Sequence, residues 1–129
     1  MALIGGNAPV YDTLAEFDED SSNRALEVMG DEENFIIGFK QRDNLLWRFS
    51  SRVFLTDKRI FVYKPGLFSF ETETETYLLD RINKMETELD GSRVTIQGPD
   101  FEKEFFVRVR EGAPRFDDEL REQINRRAE

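Results

Sequence analysis

The chain of 129 residues contains no cysteine and no histidine. Without cysteine it has no disulfide framework and no thiolate ligand for zinc. Without histidine it has no imidazole to act as a general base or as a metal ligand. An enzyme would have to rely on carboxylates, lysine, serine or tyrosine, and we find no pair of acids with a catalytic spacing. We therefore expect a protein that is not an enzyme and that carries no cofactor and no metal.

Long apolar runs are also missing. The sequence has no run of about 18 apolar residues, the least that spans a bilayer, so we expect no transmembrane helix. The opening residues, MALIGGNAPVYD, lack the positive charge and apolar stretch of a secretion signal. These features predict a cytoplasmic protein, with a peripheral membrane location as the alternative. The chain length suits one domain, and 12 phenylalanines predict an aromatic core.

Charge is distributed unevenly along the chain. Residues 1–33 hold nine acidic side chains and one basic side chain, whereas residues 34–129 hold 18 acidic and 17 basic ones. We therefore divide the chain into an acidic, partly helical N-terminal extension (1–33), called the arm below, and a nearly neutral domain (34–129). The acidic excess argues against nucleic acid as a partner. The arm either docks on a basic partner, covers a groove of its own domain, or only raises solubility.

Two short helices are predicted in the arm. Tyr11–Phe17 forms the first, and Asn23–Met29 forms the second, with Ser21-Ser22 as its N-cap. Gly30 stands where a left-handed C-cap belongs. Asp18–Asp20 is predicted to be a solvated link between the two helices.

From Asn34 the hydrophobic period becomes that of strands, and the alternation places Phe35, Ile37 and Phe39 on one face of the first. This strand ends at a turn that begins at Gln41. The other predicted strands are Leu45–Thr56, Lys58–Lys64, Phe68–Leu79, Ile82–Leu89, Arg93–Gln97 and Phe101–Arg110. The chain then ends in an amphipathic helix with one apolar stripe, formed by Phe116, Leu120 and Ile124.

Several of these features resemble bacterial and archaeal pleckstrin-homology-like (PH-like, GRAM-related) domains. They are the turn Leu55-Thr56-Asp57-Lys58-Arg59 with apolar flanks, the segment Tyr77–Ile82, the Asp90-Gly91 hairpin and the amphipathic end helix. The resemblance covers about residues 34–127. It implies a mainly β (α+β) fold, in which a bent antiparallel sheet of seven strands forms a partial barrel closed by the C-terminal helix. It implies no enzymatic activity.

A basic cluster is the first candidate site. In lipid-binding pleckstrin domains, basic residues around the loop between the first two strands hold a phosphorylated headgroup. The resemblance gives that position here to Lys40, Arg42, Arg48 and Arg52. The basic–any–Arg pattern of those domains is not met, and Asp43 opposes an anion. Ordinary charge pairs at a solvated strand end are the alternative interpretation.

Three large apolar residues form the second candidate, Leu45-Leu46-Trp47, just after a polar turn. They are either an anchor for a membrane or a partner, or the buried start of the second strand. The alternating Glu71, Glu73 and Glu75 are too widely spaced for one metal cage and favour a solvated edge strand. A calcium loop over Asp18–Met29 lacks the glycine and the last glutamate of that motif.

The sequence favours an interaction module over an enzyme. Val53 and Phe54 point to opposite faces of one strand, and Phe61 and Val62 do so in the next, so both faces of the central strands are apolar. One face lines the core, and the other needs cover from the arm or from a partner. We expect a protein partner or a homo-oligomer, and the alternative function is binding of anionic lipid or another phosphoanion.

Overall fold

A computed structural model of the chain describes residues 10–41, 51–65, 73–88, 93–106 and 112–128. The helices are α1 (Glu19–Val28) and α2 (Gly112–Ala128), with single 3₁₀ turns at Leu14–Glu16 and Leu79–Arg81. The strands are β1 (Phe35–Lys40), β2 (Arg52–Thr56), β3 (Arg59–Lys64), β4 (Glu73–Leu78), β5 (Lys84–Glu88), β6 (Arg93–Gly98) and β7 (Phe101–Phe106).

The strands form two antiparallel sheets. The first has four strands in the order β1-β2-β3-β4, and the second has three in the order β5-β6-β7. The expectation of a mainly β fold with seven antiparallel strands and a C-terminal helix is therefore confirmed. Within the described residues these sheets do not close into a barrel.

The main core lies where the two sheets and α2 meet. Val53, Ile60 and Val62 of the first sheet belong to one buried cluster with Val94 and Ile96 of the second. Their branched side chains suit a strand covered on its inward face.

Helix α2 covers this core with its apolar stripe, as the sequence predicts. Phe116 and Leu120 are fully buried, and Ile124 packs against the cluster from a half-buried position. The ring of Phe116 lies 4.9 Å from that of Phe39 and 5.9 Å from that of Phe105. One aromatic side chain therefore ties α2 to both sheets.

A register irregularity in β1 corrects one prediction. Phe35 pairs with Thr56 and Ile37 pairs with Leu55, so one extra residue, Ile36, stands between two successive pairs. Because of the extra residue, the alternation of side chains between the two faces of the sheet is reversed from one side of the bulge to the other. Ile36 consequently packs against the main core, whereas Phe35 packs on the opposite face of the sheet.

The helical segments of the arm also differ in their bounds from those predicted. Only Leu14–Glu16 forms a turn, and α1 begins at Glu19 because the Asp18 carboxylate accepts a hydrogen bond from Ser21 N at 3.1 Å. Asp18–Asp20 is therefore the start of α1 rather than a link. The C-cap of α1 is Met29 in extended geometry, and Gly30 has no left-handed conformation.

The other boundary change is at β5. The 3₁₀ turn at Leu79–Arg81 carries the chain from one sheet to the other, so β5 begins at Lys84 and not at Ile82. The expected first part of the second strand, residues 68–72 and the Asp90-Gly91 turn lie outside the described residues.

Candidate interaction surface

The face of the four-stranded sheet that points away from the main core carries its own apolar surface. Residues directly opposite one another in an antiparallel pair share a face. Gly38, Phe54 and Phe61 form one such row, and Lys40, Arg52 and Tyr63 form the next. We call these two rows the outer face.

The arm covers the outer face. A second buried cluster joins Tyr11, Phe17 and Ala25 of the arm to Phe54, Phe61 and Tyr63 of the sheet. This burial explains why every residue of β2 is inaccessible to solvent, since the strand has the core on one side and the arm on the other. The alternating apolar faces noted in the sequence are thus both covered within one chain.

Tyr11 attaches the arm to the free edge of β1. Its backbone N–H donates to Gly38 O at 2.6 Å, and Gly38 N–H donates to Tyr11 O at 3.0 Å. The close approach requires a glycine, because a Cβ at Gly38 would lie 2.7 Å from both the Phe17 ring and Val53 O.

Phe17 is the aromatic centre of the contact. Its ring lies 4.6 Å from that of Tyr11, edge to face, and 4.5 Å from that of Phe54. Phe54 in turn stacks on Phe61 at 5.7 Å. Each such aromatic pair stabilises the folded chain by roughly 0.5–1.5 kcal/mol beyond the contribution of the apolar area that it buries.

An ion pair between a buried arginine and a partly exposed aspartate fixes the start of α1 on the sheet. The guanidinium of Arg52, whose side chain is 5% exposed, donates to Asp18 Oδ1 from Nη2 at 3.2 Å and from Nε at 3.3 Å. Burial alone would raise the pKa of Asp18, but hydrogen bonds from Ser21 and the charge of Arg52 hold it below its usual value. The carboxylate is therefore both a helix cap and the counter-ion of a buried arginine.

Lys40 lies beside Arg52 in the neighbouring strand. Burial and the positive charge of Arg52 lower the pKa of Lys40, and the Asp18 carboxylate opposes this shift. Arg24 of α1 lies over the ring of Tyr63, 5.6 Å from its centroid. Charges of both signs therefore rim the apolar part of the contact.

The segment that joins the arm to β1 is fixed by the turn between β2 and β3. Glu33, whose side chain is fully buried, accepts hydrogen bonds from the Thr56 hydroxyl and from Arg59 Nε, the latter at 3.0 Å. Asn34 donates from its backbone N and its Nδ2 to the Asp57 carboxylate, both at 3.0 Å.

The turn that carries the family resemblance thus makes structural contacts here. Thr56 Oγ1 accepts from the backbone N–H groups of Lys58 and Arg59, which closes the two-residue turn. Burial would raise the pKa of Asp57, but the hydrogen bonds from Asn34 lower it below its usual value. The side chains of Thr56, Asp57 and Arg59 are therefore all engaged by contacts within the chain.

The structure brings together two of the four predicted anion-binding residues. Lys40 and Arg52 are neighbours on the outer face, and Arg52 is paired with Asp18. Arg42 and Arg48 lie outside the described residues, as does the predicted anchor Leu45-Leu46-Trp47.

Glu75 of β4 does not lie on the solvated face that the sequence favours, while Glu71 and the side chain of Glu73 are outside the described part of the chain. Thr74 and Thr76 are the more exposed residues, whereas Glu75 points toward β7 and lies 2.9 Å from Lys103 Nζ. Tyr77 also donates its hydroxyl to Glu75, at 2.9 Å. Burial would raise the pKa of Glu75, but these two contacts hold it below its usual value. Glu75 is a bridge between the sheets.

The described residues contain no group of three or more acidic side chains arranged to hold a metal ion. No helix among them has the length and the hydropathy needed to cross a membrane.

Sequence reasoning missed Asp18, Glu33 and Gly38 as contact residues. Only Gly38 carries a local signal, since a glycine within a strand often marks the close approach of another backbone. The partners of Asp18 and Glu33 are 34 and 26 residues away, and no local pattern predicts such pairs.

The chain matches no protein-family model and no curated protein sequence.

Proposed function

We propose that the chain is a non-enzymatic PH-like interaction module whose outer face binds a protein segment, supplied by another protein or by a second copy of the chain. The arm is the observation that carries this proposal. It lies on the outer face in the way that a bound peptide lies on its receptor, with one aromatic anchor, one strand-like contact and one charge pair.

Each of these contacts has a known counterpart in peptide recognition. The Tyr11–Gly38 bridge adds backbone to the free edge of a sheet, and α1 lays an apolar side on a sheet surface. Phe17 fills a site among three aromatic rings, as a hot-spot residue does. A partner segment with the same pattern would find the same contacts.

The PH-like part of the proposal is supported by the arrangement of elements. Seven antiparallel strands precede one amphipathic helix, and the apolar stripe of that helix closes the core. The fold itself specifies no ligand, so the functional part depends on the outer face alone.

The test supplies the arm as a separate molecule. A fluorescent peptide of residues 10–33 is titrated into the full chain carrying Phe17→Ala, which weakens the resident arm. We expect binding to be at least about tenfold tighter than to the unaltered chain, because the competing arm is held less strongly. Leu26→Ala is the matched control, since Leu26 is 59% exposed and its loss leaves the arm in place.

Absence of peptide binding to a Phe17→Ala chain that keeps its β circular dichroism spectrum would contradict the proposal. If that variant unfolds, Phe17→Leu keeps an apolar side chain at this position, weakens the arm more mildly and serves in its place. Light scattering after size exclusion then distinguishes the two kinds of partner, because a second copy gives a concentration-dependent dimer and a heterologous partner leaves a monomer.

The alternative function, binding of a phosphoanion at Lys40 and Arg52, is favoured by their adjacency on one face. Asp18 already pairs with Arg52 and so offsets one of the two positive charges. We therefore expect vesicles that contain anionic lipid to bind the Asp18→Asn chain more than the unaltered chain. Equal lack of binding by both chains would exclude this alternative.

A further inference from the structure

A cavity of 180 Å³ opens between β5 and α2, away from the outer face. Its apolar lining consists of Ile82, Met85 and Ile124. An apolar cavity of about 150 Å³ is large enough to bind benzene, so this volume is room for a small molecule rather than for a peptide.

The cavity follows from the local sequence. Helix α2 turns Arg121, Ile124 and Asn125 toward one side, because residues three and four apart share a helix face. The apolar stripe that begins at Phe116 ends with Ile124, which is only half-buried. Opposite it, the chain leaves the 3₁₀ turn and enters β5, where it supplies the other wall.

Arg121 is held in place at the mouth of the cavity. Its Nε donates to both oxygens of Asp117, at 3.0 and 3.1 Å. Asp117 is in turn fixed by the hydroxyl of Thr87 from β5. The two Nη groups of Arg121 make no hydrogen bond within the described part of the chain, so the outer edge of the guanidinium remains available.

The rest of the rim is polar and partly cationic. Asn83, Lys84 and Asn125 line it, and all three are exposed. Lys84 pairs with Glu86 at 3.1 Å on the solvent side, where both side chains are more than half exposed and the pair is therefore weak.

We propose that this cavity binds a small carboxylic acid with a short aliphatic body. The aliphatic part packs against Ile82, Met85 and Ile124. The carboxylate accepts hydrogen bonds from the Nη edge of Arg121, whose planar fork matches a carboxylate, and the carboxamide of Asn125 lies on the same helix face. A fixed arginine beside an apolar lining thus complements both halves of the ligand.

Methyl NMR on the full chain tests this assignment. Met85 lines the cavity and is one of only three methionines in the sequence, so its ε-methyl signal reports occupancy directly. The probe is 3-methylbutanoate, and its neutral amide, 3-methylbutanamide, is the matched ligand. We expect a saturable shift of the Met85 methyl with the acid and at least about tenfold weaker binding of the amide.

Two variants distinguish binding at the proposed site from a general effect of the positive charge of the helix. Arg121→Gln removes the proposed contact, and we expect it to weaken binding of the acid by about tenfold or more. Arg126→Gln makes the same change of charge on the same helix outside the cavity and should leave binding unchanged. Both arginines are exposed, so the fold is retained.

Three results would overturn the assignment. They are an unmoved Met85 methyl, equal affinities for acid and amide, and equal losses in the two arginine variants.

Discussion

The buried charges at the junction of arm and sheet decide how the arm is held. Arg52 and Glu33 are both inaccessible, and each has its partner on the other side of the junction. A buried ion pair adds little net stability, yet removing one partner leaves the other without a counter-charge. The two pairs therefore specify the position of the arm more than they stabilise the fold.

The variant Glu33→Ala tests the buried contacts of Glu33 at the junction of arm and sheet. The variant deprives the Thr56 hydroxyl and Arg59 Nε of their acceptor, and we expect the free energy of unfolding in urea to fall by about 1–3 kcal/mol. Glu32→Ala removes the exposed neighbouring acid and should change it by less than about 0.5 kcal/mol. Equal effects of the two variants would contradict the buried contacts of Glu33.

Gly38→Ala tests the close approach of the arm. The new methyl group would collide with the Phe17 ring and with the backbone of Val53, so we expect a loss of about 1–3 kcal/mol in urea unfolding. Gly30→Ala is the matched control, because its Cβ would meet only Glu33 Oε1 at 3.9 Å. A Gly38→Ala chain as stable as the Gly30→Ala chain would show that the arm does not pack as described.

At the scale of the elements, the packing of α2 on the core depends on few side chains. Phe116 and Leu120 are completely buried, whereas Glu122 and Arg126 face solvent and pair with each other at 2.8 Å. The helix therefore stabilises the fold through its stripe and not through its surface charges.

Leu120→Ala is expected to lower the free energy of unfolding by about 2–5 kcal/mol, since it leaves a cavity between α2 and the sheets. Glu122→Ala on the exposed side should cost no more than about 0.5 kcal/mol. Guanidinium unfolding curves measure both values. Similar midpoints for the two variants would mean that α2 does not cover the core.

The sequence predicts the elements better than it predicts their contacts. The strands, the two-residue turn after Thr56 and the stripe of α2 follow from periods and turn residues within a few positions. The bulge at Ile36 and the pairing of Asp18 with Arg52 do not, because each depends on a partner distant in the chain. Of the candidate site, the need to cover a second apolar face was predictable, whereas the geometry of the arm on that face was not.

At the scale of the whole molecule, several carboxyl groups share one pH response. Asp18, Asp57 and Glu75 all have a pKa below the usual value in the folded chain. Their contribution to stability is fully present above the pKa that these carboxyl groups have in the unfolded chain, about 4. It is lost as the pH falls through their lower pKa in the folded chain.

We therefore expect urea midpoints to fall as the pH decreases below about 4, and Asp57→Asn to make this fall shallower. Tyr63 has a raised pKa, because burial disfavours its ionised form, so stability should also fall above about pH 10. A profile that is flat down to about pH 3, or that Asp57→Asn leaves unchanged, would contradict the hydrogen bonds from Asn34.

The central claim is that the arm occupies the outer face as a separable ligand of its own domain. Native-state hydrogen exchange of the full chain tests it most directly, with Ala25 and Met29 amides reporting on the arm and Phe54 and Phe61 amides on the sheet. We predict that the arm amides exchange together through an opening of lower free energy than that of the sheet amides. If both sets exchange only through global unfolding, the arm is an integral layer of the fold and the claim is wrong.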